Sequence, residues 1–174
     1  MTISTRKLVT SLAVVLLSSS PLLASAASTG YKMALIEDAP GAAFIKAGQF
    51  AEAIAQVQAE DADKSEPFYR QVSLCVAYSS TADFTLAATA CGDAVQLAAN
   101  LQAIPRSAKR EMRALALNNR GVMHLMAGDK VAALQDFIQA VRIDNSELTL
   151  ANLERLTVSI NGVEVQEIAL QAAE

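Results

Sequence analysis

His124 is the sole histidine of the chain. A general base or a metal ligand needs companion groups at contact distance, and the spacing around His124 supplies none. Arg120 stands one helical turn before it, and Met123 and Leu125 flank it. It reads as a packing or surface histidine. Serines and threonines are common, but a hydroxyl without a paired base is an ordinary polar group. Residues 60–66, EDADKSE, gather several acids without the ordered spacing and glycine turn of a calcium loop, so they read as a solvated linker. There is no glycine-rich phosphate loop. The sequence therefore predicts no catalytic, metal-binding or cofactor-binding residue and no cofactor. An envelope hydrolase stays as an alternative that a partner group for His124 in space would revive.

Two cysteines, Cys75 and Cys91, are too few for a disulfide-built scaffold and are not a C-x-x-C redox pair. They either bond to each other, which needs Cα atoms within about 7 Å, or remain buried thiols. Arg106, Lys109, Arg110 and Arg113 fall on one face of a helix, with Arg120 further along. Such a face meets an acidic partner or an anionic surface, or is solvated and paired to neighbouring acids.

The N-terminal residues have a different character. Arg6 and Lys7 precede the apolar run Leu8 to Leu17, and Ala24 and Ala26 form a small-x-small site. This is the pattern of a secretory signal peptide over residues 1–26. The run is too short to span a bilayer comfortably as a helix. Without those residues the chain has 12 basic residues against 18 acidic ones. That balance opposes general nucleic-acid binding, which needs a positive footprint. No later stretch is apolar enough to cross a membrane, so the expected location is the periplasm or outside the cell. There a disulfide is permitted.

The elements that must position these residues are helices. Residues 27–36 read as a loose lead-in, and Asp38 as the cap of a helix starting near Ala39. Phe50, Ala53, Ile54 and Val57 recur at spacings of three and four, giving one apolar face. Helical runs follow over 68–79 and from Phe84 to Ile104, where Pro105 should end or bend the second. Ser107 should cap the next helix, and Gly128-Asp129 should close it. Two further helices cover 130–143 and 147–156. The fold class is all-α, a stack of antiparallel helix hairpins over residues 27–156. Residues 157–174 form a tail in which TVSINGVEVQ alternates apolar residues around Asn161-Gly162. That is a β-hairpin signal, with an extended tail as the alternative.

The stretch from 114 to 147 resembles a tetratricopeptide repeat. Gly121 meets the pattern's small residue in the first helix, Ala133 the small residue twelve places on, Phe137 the aromatic, Ala140 the further alanine and Gly128 the turn. Upstream, Gly41, Gly48, Ala53 and Val57 match a first copy, with Glu60 in place of the last alanine. Cys75, Ala87, Cys91 and Ala94 match a second, with Tyr78 as its first-helix aromatic. Gly41 and Cys75 stand 34 positions apart, the family period, and Cys75 and Gly121 stand 46 apart. The family's tryptophan is absent, with Leu117 at its place in the third copy, and Asn145 stands where a proline is usual.

The resemblance implies a curved stack with a groove that takes a peptide or helix of another protein. The groove residues it implies are Tyr69, Val72, Val76 and Ser79 in the second copy, and Leu115, Asn118, Val122 and Leu125 in the third. Val72 and Asn118 occupy the places where some relatives carry basic residues for a terminal carboxylate, so an apolar or helical ligand fits better. It also places Cys75 and Cys91 as inward residues on opposite helices of one hairpin. The expected function is a non-catalytic protein-interaction module or adaptor in the cell envelope, with a protein or peptide partner. The alternative is a structural or stress protein whose repeats associate with one another. The C-terminal segment could also fill the groove from within.

Overall fold

The computed structural model describes residues 30–60 and 66–171, with side chains through 162. The expected signal peptide and most of the EDADKSE linker lie outside the described residues. Seven helices follow one another: α1 (Ala42–Lys46), α2 (Phe50–Ala59), α3 (Pro67–Ser80), α4 (Phe84–Asn100), α5 (Arg106–Met126), α6 (Lys130–Ile143) and α7 (Glu147–Gln171). Each packs on the next in sequence. In addition α1 touches α3, α3 touches α5 and α5 touches α7, whereas α2, α4 and α6 touch only their sequence neighbours. The odd-numbered helices thus form one continuous layer and the even-numbered helices the other. This is a stacked helical-repeat arrangement, and no strand occurs among the described residues.

The same turn closes three successive hairpins. In each, the sixth residue's N–H donates to the first residue's carbonyl: Gln49 to Phe44 at 2.8 Å, Asp83 to Tyr78 at 3.0 Å, and Asp129 to His124 at 2.8 Å. The residue before each donor is left-handed: Gly48, Ala82 and Gly128, with φ of 74°, 59° and 91°. This geometry satisfies the carbonyls orphaned at a helix end. Asp83 and Asp129 then cap the following helices, their carboxylates accepting from the Leu86 and Ala132 amides at 3.2 and 2.9 Å. The middle turn uses alanine where the other two use glycine, and a Cβ in this region costs about 1 kcal/mol.

Between the turns, helix pairs approach closely at small residues. A Cβ added to Gly121 would lie 2.6 Å from Phe137 Cε1 and 3.3 Å from the Ala133 carbonyl oxygen. Phe137, Ala133 and Ala140 are all fully buried. Cys75 and Cys91 are bonded, with Cα atoms 4.7 Å apart, and tie α3 to α4 inside a cluster with Tyr78, Ala87, Ala90 and Met123.

Four local expectations are corrected. The hairpin around Asn161-Gly162 is absent, because α7 runs through it to Gln171. The winning period is helical: Leu153, Leu156 and Ile160 pack into one cluster, while Val158 of the alternating set is 70% exposed. Asp38 does not cap a helix; α1 begins at Ala42 after Gly41. The helix expected to reach Ile104 stops at Asn100, and Pro105 instead sits at the N-cap of α5. Ser107 therefore falls inside α5, one place past the first helical residue, rather than capping it.

Three stability predictions follow from the packing, the turns and the disulfide. Gly121→Ala should lower stability by about 1–3 kcal/mol, since the fully buried Phe137 ring would have to shift to admit the methyl group. Ala82→Gly should raise it by about 1 kcal/mol. Urea unfolding of both variants beside the parent chain reads the opposite signs. Reducing the disulfide, which closes a sequence separation of 16 residues, should cost about 3 kcal/mol. Unfolding in the presence and absence of reductant measures that loss.

Candidate functional site

The lead-in is not loose. Residues 31–36 run extended across the layer of odd-numbered helices and are held there by three asparagines. Asn119 Oδ1 accepts from the Ala34 amide at 2.7 Å, and its Nδ2 donates to the Ala34 carbonyl at 2.8 Å. Asn152 treats Lys32 the same way, accepting from its amide at 3.1 Å and donating to its carbonyl at 2.8 Å. Asn118 Nδ2 donates to that same Lys32 carbonyl at 3.0 Å. Residues two apart on an extended chain present main-chain groups to one edge. The asparagines therefore read that edge as a neighbouring strand would. All three are essentially inaccessible to solvent, and Asn152 Nδ2 also donates to Asn118 Oδ1 at 2.7 Å, which fixes their amide orientation.

Side chains on the segment fill the spaces between helices. Tyr31 stacks on Phe137, with ring centroids 6.2 Å apart and planes 9° from parallel. Arg155 lies 5.9 Å from the Tyr31 ring centre on its face. Burial raises the Tyr31 phenol above its ordinary range, against the opposing pull of Arg155. Met33 packs against three clusters, centred on the disulfide, on Val76 with Ala77, and on Val122 with Phe137. Leu35 joins the second of these, and Ile36 packs against the cluster of Phe68 and Val72.

Seven of the eight residues implied as groove-lining come together around this segment. Val72, Val76 and Val122 are buried in the clusters it covers, Tyr69, Leu115 and Leu125 pack at their edges, and Asn118 binds its backbone. Tyr69 also borders a cavity with Leu101, Ile104 and Met112. Ser79 does not line the groove: it is buried and its hydroxyl donates to the Cys75 carbonyl at 2.7 Å within α3. Among the described residues, the groove is filled from within by the segment 31–36. Asn119 and Asn152 were not singled out from the sequence. Asn152 carried a usable signal, since it stands 34 positions after Asn118, one repeat period on.

The remaining chemistry-bearing residues are placed as follows. Arg120 makes a two-pronged bond with Asp136 at 2.8 and 2.7 Å, which raises the guanidinium's pKa further. His124 Nε2 lies 3.9 Å from an Asp136 oxygen already engaged by Arg120. Arg110 donates twice to the Ile143 carbonyl at the end of α6, at 2.9 and 2.6 Å. No group of three or more metal-ligating side chains comes together among the described residues. No helix among them is long and apolar enough to cross a membrane.

Comparison of the chain with protein-family models, with curated proteins and with solved structures finds no match. The functional reading therefore rests on the groove itself.

Asn119→Ala removes both partners of Ala34 and leaves two main-chain groups unpaired. It should destabilise the folded chain by about 2–3 kcal/mol. Amide hydrogen exchange should show protection lost first at Ala34, with the α5 interior little changed near neutral pH.

Proposed function

We propose that this chain is a non-catalytic protein-interaction module of tetratricopeptide-like type, acting as an adaptor in the periplasm or outside the cell. Its ligand is an extended segment of another envelope protein. The observation that carries this reading is the asparagine clamp: Asn118, Asn119 and Asn152 hold an extended peptide by its main chain. A surface built this way recognises peptide as a chemical class, and the packed pockets between the clamps supply side-chain preference.

Export is part of the proposal and rests on the signal pattern over residues 1–26. N-terminal sequencing of the protein from its native cell should find Ala27 as the first residue.

The binding role is tested by crosslinked capture of the native protein from the envelope, read by mass spectrometry. Asn152→Ala serves as the comparison once circular dichroism shows that it folds. A specific partner held by the parent chain and reduced at least tenfold by Asn152→Ala supports the adaptor reading. Capture of no specific protein, or of one indifferent to Asn152, overturns it.

A further inference from the structure

Resting on the binding reading above, the segment 31–36 has a second property, which lies in what it leaves empty. Ala34 is clamped by both its main-chain groups, yet the residue borders an open cavity of about 270 Å³. Glu111, Leu115, Asp144, Leu148 and Thr149 wall that space. The Thr149 hydroxyl is satisfied by the Asp144 and Ser146 carbonyls. Neither the Glu111 nor the Asp144 carboxylate makes an ion pair among the described residues. Arg110 on α5 directs two of its donors to the Ile143 carbonyl rather than to either carboxylate. The chain's own segment therefore satisfies the clamp and the apolar pockets but puts a methyl group where a long side chain would fit.

From this we infer that residues 31–36 are a resident and replaceable occupant. The groove takes in their place an extended segment of a different protein carrying lysine or arginine at the position of Ala34. Such a ligand keeps the main-chain bonds to Asn118, Asn119 and Asn152. It places an aromatic side chain on Phe137, where Tyr31 lies, and a flexible apolar one where Met33 lies. Its aliphatic stem covers Leu115 and Leu148, and its cation meets Glu111 and Asp144. The tethered segment competes at an effective concentration of about a millimolar, as short linkages do. A ligand with the same contacts gains little against that. The extra cation supplies the difference that lets a partner displace the tethered segment, and so makes the segment autoinhibitory.

The test uses the full mature chain and a fluorescent synthetic peptide of residues 30–38, with and without Ala34→Arg. The Ala34→Arg peptide should bind the parent chain at least fivefold tighter than the unaltered peptide. A chain carrying Glu111→Gln and Asp144→Asn should erase that preference. A chain carrying Tyr31→Ser and Met33→Ser, which loosens the resident segment and leaves the groove intact, should bind both peptides at least tenfold tighter. No binding to the loosened chain while it is folded, or no preference for arginine, overturns the inference. Should the loosened chain not fold, hydrogen exchange of the parent chain decides. Lys32 and Ala34 amides exchanging at least tenfold faster than the α5 interior support a replaceable segment, and exchange only through global unfolding overturns it. A concentration-dependent dimer that trades this segment between copies overturns the choice of a different protein as the partner. These readouts are separate from the envelope capture, so an adaptor role can fail while the groove's chemistry stands.

Discussion

A backbone laid in extended form against helices has a polar edge that the helices cannot match. Their own N–H and C=O groups are consumed internally, and a buried main-chain group without a partner is costly. The constraint admits few solutions. A carboxylate accepts only, and an ammonium donates only. A primary amide carries a donor and an acceptor in one plane, as a peptide group does. Asn119 and Asn152 each meet one residue's amide and carbonyl together. Their full burial follows, as does the bond from Asn152 to Asn118 that holds the set in register. The apolar contacts of Tyr31, Met33, Leu35 and Ile36 are available only because this edge is satisfied.

The helical frame supports that arrangement with small side chains. Ala53, Ala87, Ala90, Ala94, Ala98, Ala133 and Ala140 are all buried, and each removes little apolar area from water. Close approach recovers contact that bulk would otherwise supply. Such interfaces have little tolerance for added bulk, and a covalent bond also joins α3 to α4. Phe137 is one of the large exceptions, with Phe68 and Leu156. It fills the space opposite Gly121 on α5 and stacks on Tyr31, so a residue of the even-numbered layer helps seat the extended segment on the odd-numbered one.

Much of this frame was legible in the sequence, and the reasons are local. Gly128-Asp129 marks a helix stop, and α5 ends there with Gly128 left-handed; that Asp129 also caps α6 is a finding of the structure. Gly121, Ala133 and Phe137 announce a close helix pair, because each type has one role at that spacing. Val72, Val76, Leu115 and Val122, implied only through the family resemblance, pack in or against the clusters under the extended segment. What fills the groove was not legible. Residues 31–36 have no periodicity that a helix or hairpin would impose, and their partners lie far away in sequence. Asn119 sits beside an expected groove residue and points into the same groove, an orientation that spacing alone does not give. The tail misled for a related reason. Asn161-Gly162 carries a strong turn signal, but a turn needs a partner strand, and the pairing available to Leu153, Leu156 and Ile160 was with Val122 and Phe137.

The bond between Lys32 and Asn152 spans 120 positions of sequence. That separation orders events in time. The segment leaves the ribosome well before α7 does, so its seat is half built until the chain is nearly finished. Helix hairpins close quickly because their contacts are local, whereas contacts this distant form late. Through that interval Tyr31, Met33, Leu35 and the bare inner face are exposed together, and a newly made chain is at its most adhesive just before it is complete.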